Sequence, residues 1–384
     1  MIKQKLASWQ DEFAALRQDI HRHPELAFEE NRTSALVCEK LKSWGFEVTQ
    51  GLGGTGVIGT LRRGAGRSIG LRADMDALPI QEASGKPWAS TIPGKMHACG
   101  HDGHTTTLLA AARYLAEAGN FSGTVHLIFQ PAEENIGGAE RMIEEGLFAK
   151  FPCDAIFALH NLPRLAEGEI LIKSGPIMAA VDVATIIIKG LGGHGAAPHL
   201  TRDPILAASA IVMGLQSLVS RNLKATDAGV VTIGAFQAGS ISTVIPETAT
   251  LQASLRSTSR EGRALLERRF HEMIRATAQA YGCEAEIDYE RSYPATFNSQ
   301  AETEFVMGVL GASGFSIQET DEPMMFSEDF AYMLEKVPGC YFMLGASEDP
   351  NMPFLHDAAY DFNDRLIVPG ALAFVQLVEA YLKP

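Results

Sequence analysis

Basic residues are in short supply. The chain carries 32 Lys and Arg against 46 Asp and Glu, a formal net charge of −14. It therefore lacks the positive surface on which non-specific nucleic-acid binding rests. An anionic small substrate is not excluded, because a local Arg or a metal overrides the overall field. Cysteine is sparse too. The five present (Cys38, Cys99, Cys153, Cys283, Cys340) are odd in number and scattered, which is no disulfide framework and points to a reducing cytoplasm. No uninterrupted apolar run reads as long enough to span a bilayer. The stretch Met1 to Leu16 is amphipathic, charged throughout and without an apolar signal core. Internal repeats and low-complexity tracts are missing. What remains is an ordinary globular chain of 384 residues, for which two domains are expected.

The first part alternates helical and strand signals. Leu6 to Ile20 reads as an amphipathic helix with Trp9, Phe13, Leu16 and Ile20 on one face, and Asn31 to Trp44 as a second helix ending at Gly45. Strands are expected over Thr55 to Leu61, Ser68 to Ala73, Gly123 to Phe129 and Ala155 to Leu159. Helices are expected over Thr105 to Ala118 and Ala139 to Glu145. Alternation of this kind implies an α/β layer with a mostly parallel sheet. Residues 181–294 have a different rhythm. Strands at Val181 to Lys189, Val230 to Phe236, Thr248 to Arg256 and Cys283 to Tyr289 combine with helices from Asp203-Pro204 to Ser220 and from Glu261 to Tyr281. The order β-α-β-β-α-β is that of a ferredoxin-like α+β domain. The expected organisation is a first domain of residues 1–180 and 295–384, interrupted by a second of residues 181–294.

Met96-His97-Ala98-Cys99-Gly100-His101-Asp102-Gly103-His104 is the densest cluster of reactive groups. Cys99 and His101, two apart around a glycine, read as half of a metal site, since thiolate and imidazole both suit zinc and related ions. Gly103 reads as opening the next turn and Asp102 as a helix cap; His97 and His104 read as supports for the ligands. In open parallel sheets ligands sit beyond the carboxyl ends of strands. Asp74-Met75-Asp76, Gln130-Pro131-Ala132-Glu133-Glu134 and His160-Asn161 each follow a strand signal there. Taken singly these residues stay ambiguous. Glu133 and Glu134 could be two solvated acids on an irregular backbone, and His160 and His356 could be hydrogen-bonded core histidines. His194, in Gly192-Gly193-His194-Gly195, lies in a flexible turn or at a site of close approach. Arg256, on a face with Thr250, Gln252 and Ser254, is a solvated strand residue or a carboxylate clamp. His21, His23, His126 and His271 look structural. A Cys99 nucleophile paired with histidine is a rival reading, but it leaves Glu133, Glu134, His160 and His356 without a role.

Several long segments in one order carry a family likeness. They are Leu71-Arg72-Ala73-Asp74-Met75-Asp76-Ala77-Leu78-Pro79-Ile80, Cys99-Gly100-His101-Asp102-Gly103-His104, Phe129-Gln130-Pro131-Ala132-Glu133-Glu134, Gly192-Gly193-His194-Gly195-Ala196-Ala197-Pro198-His199, Ser327-Glu328-Asp329-Phe330 and Tyr360-Asp361-Phe362-Asn363-Asp364. From about His21 to Asp364 the chain resembles the amidohydrolase branch of the aminoacylase and carboxypeptidase-type metallopeptidases. That branch includes hippurate hydrolases, N-acyl-amino-acid amidohydrolases and plant indole-acetic-acid–amino-acid hydrolases. The resemblance implies a metallopeptidase catalytic domain carrying an inserted lid and dimerisation domain, hence a homodimer or higher homo-oligomer. It implies that Cys99, His101, Glu134, His160 and His356 hold two divalent metal ions, zinc or manganese, with cobalt or nickel also suited. Glu133 matches the general base, Asp76 the acid that orients the assembly and His194 the group that polarises the scissile carbonyl. Arg256 matches the contact to the substrate carboxylate. Thr243 stands where relatives usually have Asn for holding substrate, and Phe326 where Gly is common; with Met325 it is expected to border an acyl pocket. The implied activity is cleavage of N-acyl amino acids to a carboxylic acid and a free amino acid, with carbamoyl or ureido amides and dipeptides as the alternative substrates and a non-catalytic metal-binding protein as the alternative class.

Overall fold

Four runs of Val, Ile, Leu and Phe form the centre of an eight-stranded sheet. A computed structural model describes residues 1–347, 349 and 351–384, the side chains of Asn135 and Ile136 excepted. In it Gly123–Gln130, Ser68–Asp74, Ala155–Ala166 and Gly339–Ser347 lie side by side and parallel. Their burial is almost continuous, as it is for strands covered on both faces. Glu47–Leu52 and Gly56–Arg63 extend one side antiparallel, and Ile170–Ile172 and Ile317–Glu319 close the other. The fold is the α/β class expected, mixed in polarity only toward the sheet edges.

The described chain divides into two compact units. One comprises Met1–Ile177, Phe297–Glu322 and Asp329–Pro384, and the other Met178–Thr296 and Pro323–Glu328. In the first, the helix His101–Ala118 is buried from its first residue because Ala, Thr, Gly and Leu give it little bulk. A Cβ on Gly103 would lie 2.4 Å from the Phe362 ring. This glycine therefore does not open a turn; it sits inside the helix where only hydrogen fits. The expected single helix Leu6 to Ile20 is two, Ile2–Ala7 and Gln10–Arg22. Ser8 ends the first by bonding its hydroxyl back to the Lys5 carbonyl at 2.6 Å, a local competition that Ser side chains offer the backbone. The strand expected to stop at Leu159 runs on to Ala166, so His160 lies within it rather than after it.

The second unit has its own core, with Ile186, Ile188, Ile211, Leu215, Leu251 and Phe270 buried together. Its strands lie in the order Gly229–Ala238, Thr248–Ser257, Ala180–Lys189, Glu284–Arg291, every neighbour antiparallel. With the helices Pro204–Asn222 and Arg260–Ala280 this is the ferredoxin-like arrangement. Asp203 caps the first helix, accepting the Ile205 amide at 2.8 Å. By length and composition alone that helix could cross a membrane, yet Ser209, Gln216, Ser217, Ser220 and Arg221 interrupt it, so it is not an uninterrupted apolar run. Its residues Ala207, Ala208, Ile211, Leu215 and Leu218 lie in the unit's core. Pro323–Glu328 falls in this unit, outside the 181–294 span, because Ala179 N–H donates to the carbonyls of Met324 (3.0 Å) and Phe326 (2.9 Å).

Candidate metal centre

Parallel pairing puts the ends of Ser68–Asp74 and Gly123–Gln130 in register, Asp74 opposite Gln130. Asp76 follows the first end and Glu133–Glu134 the second. Glu133 and Glu134 do not sit on irregular backbone. They open a four-residue helix, Glu133–Ile136, entered through Ala132 in the left-handed conformation (φ 54°). Gly100, also left-handed (φ 95°), directly precedes the helix that begins with His101. A Cβ there would meet Asn161 Oδ1 at 2.4 Å and the Tyr360 hydroxyl at 2.8 Å. The absence of a side chain at position 100 thus lets Cys99 and His101 close on the strand that carries His160. His356 (φ 66°) is drawn in by its own backbone, its amide donating to the Ala98 carbonyl at 2.8 Å.

The five expected ligands converge within the first unit. In each of three sets, Cys99 with His101 and His160, Cys99 with Glu134 and His356, and His101 with Glu133 and Glu134, the donor atoms lie within 4.8 Å of one another. Cys99 Sγ is 3.3 Å from His160 Nε2, and His356 Nε2 is 3.0 Å from Glu134 Oε1. Overlapping sets that share Cys99, His101 and Glu134 have the layout needed for two adjacent cations.

The hydrogen bonds behind these groups suit a metal. His101 donates from Nδ1 to the Asp76 carbonyl (2.9 Å) and to Asp76 Oδ1 (3.2 Å), while its buried Nε2 has no hydrogen-bond partner among the described residues. His160 donates from Nδ1 to the Asn161 carbonyl at 2.7 Å. Both rings therefore hold a proton on Nδ1, which leaves Nε2 as the atom a cation would take. Asp76 Oδ2 also accepts the Glu134 amide at 2.9 Å, so one carboxylate fixes a histidine and a glutamate together. Burial, reinforced by Glu134, Glu133 and Asp74, pushes the Cys99 thiol well above its usual range. Burial, with His104 and His101 adding to it, pushes His160 well below its own. For His101 burial opposes the charge, but Asp74, Asp76 and Glu134 outweigh it and raise the ring to about 10. A soft thiol and two imidazoles crowded out of water, with the part-buried Glu134 and the exposed His356 at their edge, form a donor set that a divalent cation would stabilise.

A second layer supports the first. His104 donates from Nδ1 to Asp74 Oδ1 (2.6 Å), and its Nε2 lies 2.6 Å from Asn161 Oδ1. Asp74 also accepts from Arg72 at 2.7 Å, and Arg72 reaches Gln130 (2.8 Å) and Asp329 (3.0 Å). His104 is thus the support expected of it. His97 is buried with neither ring nitrogen hydrogen-bonded among the described residues. Asp102 is no cap. It is wholly buried in the first turn, accepts His21 Nδ1 at 2.7 Å and lies 3.5 Å from the Arg17 guanidinium. His126 is the satisfied structural residue expected, 2.9 Å from the Thr60 hydroxyl. Reasoning from sequence missed Arg17, Arg72 and Glu30. Arg17 and His21, four apart on the same helix as Phe13 and Ile20, were the available signal for a charged buried face.

His194, Thr243 and Arg256 belong to the second unit. His194 lies on a two-stranded ribbon with Val244 opposite it, and Thr243 directly precedes the second strand, its carbonyl accepting the Gly195 amide at 2.8 Å. The exposed His194 ring accepts the Ala196 amide on Nδ1 at 3.0 Å. Arg256 is half-buried and donates from Nη1 to the Met325 carbonyl at 2.6 Å.

A family model described as Peptidase family M20/M25/M40 matches residues 70–380. The hippurate hydrolase of Campylobacter jejuni is 43% identical over 377 residues, 97% of each chain. The Arabidopsis thaliana IAA-amino acid hydrolase ILR1-like 4 is 37% identical over 380 residues, 97% of this chain and 86% of that one. Among solved structures, the Bacillus subtilis YXEP protein, a dinuclear metal binding peptidase from the M20 family, superposes with a TM-score of 0.86 at 32% identity, covering 98% of this chain and 99% of that one.

Proposed function

The chain belongs to peptidase family M20/M25/M40, and from that premise we propose that it is a metal-dependent amidohydrolase acting on N-acyl amino acids. The products would be a carboxylic acid and a free amino acid. The convergence of Cys99, His101, Glu134, His160 and His356, with Glu133 beside them, carries this reading. A non-catalytic metal binder needs no general base, and Glu133 stands at the position matched to one. The 43% identity to a hippurate hydrolase and the likeness to an enzyme of indole-acetic-acid conjugates support acyl amino acids as the substrate class.

Cations held by those five side chains would polarise the amide carbonyl and acidify a water. Glu133 takes the proton of the attacking water and delivers it to the departing amine. Asp76 holds His101 and the Glu134 backbone in place. His194 donates to the carbonyl oxygen as charge develops there, and Arg256 receives the carboxylate of the amino-acid half. General acid–base transfer contributes roughly 10²–10⁴-fold, which sets the expected result for Glu133→Ala. Its kcat on N-benzoyl and N-acetyl amino acids should fall by that factor while metal content, measured on the dialysed protein, stays at the wild-type level. Near-wild-type turnover with metal bound would remove Glu133 from this role.

A further inference from the structure

Glu30 is the N-cap residue of the helix Asn31–Ser43, yet its side chain does not cap it. That helix's first amides, Arg32 and Thr33, are taken by Glu25 at 2.8 and 2.9 Å. The Glu30 carboxylate, fully buried, turns elsewhere. Its Oε1 accepts the amides of Phe28 (3.0 Å) and Ala132 (2.9 Å), and its Oε2 accepts the Thr55 hydroxyl (2.5 Å). Phe28 and Ala132 are both non-glycine residues in the left-handed region, at φ 62° and 54°. Each such conformation is strained for a residue with a side chain and persists only where surroundings hold it. Ala132 is the residue from which Glu133 and Glu134 depart. The short helix they open is thus held from two sides, by Glu30 on the amide before it and by Asp76 on the Glu134 amide within it.

We propose that Glu30 is a positioning residue for the reaction: by holding the left-handed backbone of Ala132 it sets the direction in which Glu133 and Glu134 enter the site. The proposal rests on the reading of Glu133 as proton carrier and Glu134 as ligand. Hydrogen-bond geometry is what acts here: two amides and a hydroxyl converge on the Glu30 oxygens. A glutamine keeps the arrangement. Its carbonyl accepts both amides and its NH₂ donates to Thr55.

Three variants test this with kcat and KM on N-benzoylglycine and with backbone amide exchange over residues 127–142. Glu30→Ala should lose between about 10- and 100-fold in kcat, the scale of a small misplacement, with KM little changed and exchange protection lost in that segment. Glu30→Gln should stay within about threefold of wild type on both readouts. In Glu30→Ala/Ala132→Gly, glycine takes the left-handed conformation unaided, so kcat should recover at least threefold over Glu30→Ala. If Glu30→Ala does not fold, Glu30→Asp, one methylene shorter, withdraws the oxygens from the Ala132 amide and should behave as the alanine variant. Wild-type kcat in the alanine or aspartate variant overturns the proposal. So does a glutamine variant as impaired as the alanine one, or a double variant without recovery. Wild-type protein that hydrolyses no N-acyl amino acid sinks the functional reading and leaves amide exchange to judge Glu30. Hydrolysis that depends on Glu133 but is indifferent to Glu30 sinks this proposal alone.

Discussion

His101 is tied down at Nδ1 and open at Nε2, and that asymmetry organises the site. The bond at Nδ1 fixes the ring, and Nε2 is left as the candidate ligand atom beside Cys99, Glu133 and Glu134. Arg256 is the opposite case, a guanidinium with its Nη1 already donating to the Met325 carbonyl. That bond uses part of a fork with five donors, and the proposed function gives the rest to the substrate carboxylate. Arg256→Ala should raise KM for N-acyl amino acids by about 10- to 100-fold, as loss of a charged hydrogen bond does. The same substitution should change KM far less for the corresponding N-acyl amino-acid amides. Steady-state kinetics on matched acid and amide pairs checks this, and equal effects would take the clamp away. Singly the reactive residues stayed ambiguous in the sequence, and small flanks singled out two of them: Gly100 beside His101 and Gly193 beside His194 invite the question of what comes close. Glu30 was not legible, since a glutamate before a helix reads as an ordinary solvated cap, and only tertiary packing sends it to Ala132.

The helix Gln10–Arg22 shows what periodicity leaves out. Phe13 and Ile20 give it an apolar stripe, but Arg17 and His21 are as fully buried as they are. They meet Asp102, at the start of the buried helix that carries His101. Burial works against a charged His21, yet Asp102 at 2.7 Å and Glu82 at 3.3 Å outweigh it and hold its pKa at about 9 against 6.5. A folded-state pKa above the unfolded one means stability that is complete below pH 6.5 and lost as pH rises through about 9. The shift corresponds to on the order of 3 kcal/mol. Urea unfolding of wild type and His21→Gln across that window should show the difference between them shrinking by about that amount as pH rises. A constant difference would mean His21 is neutral in the folded protein. The pairing itself was out of reach from sequence, because 81 residues separate His21 from Asp102.

Among the described residues two separate cores form, one under the large sheet and one between the small sheet and its two helices. All five proposed ligands belong to the first unit. Binding to a folded form stabilises it by about 2.7 kcal/mol at a hundredfold excess over Kd. Calorimetry should therefore resolve two transitions, and zinc or manganese should raise only the one belonging to the first unit. Cys99→Ala/His101→Ala should abolish that shift, whereas movement of both transitions, or of neither, would contradict it. The amino-acid sequence determined the layers, since apolar periodicity and strand–helix alternation are local properties that survive without coordinates. It also determined the chemical vocabulary, because motif order is written along the chain. What only the tertiary structure decided is which vocabulary meets. Parallel register aligns Asp74 with Gln130, side-chain-free Gly100 lets the His160 strand approach, and left-handed turns at Ala132 and His356 aim their neighbours inward. Those are contacts between residues tens to hundreds of positions apart, and their geometry is set by packing and backbone conformation, which no local pattern encodes.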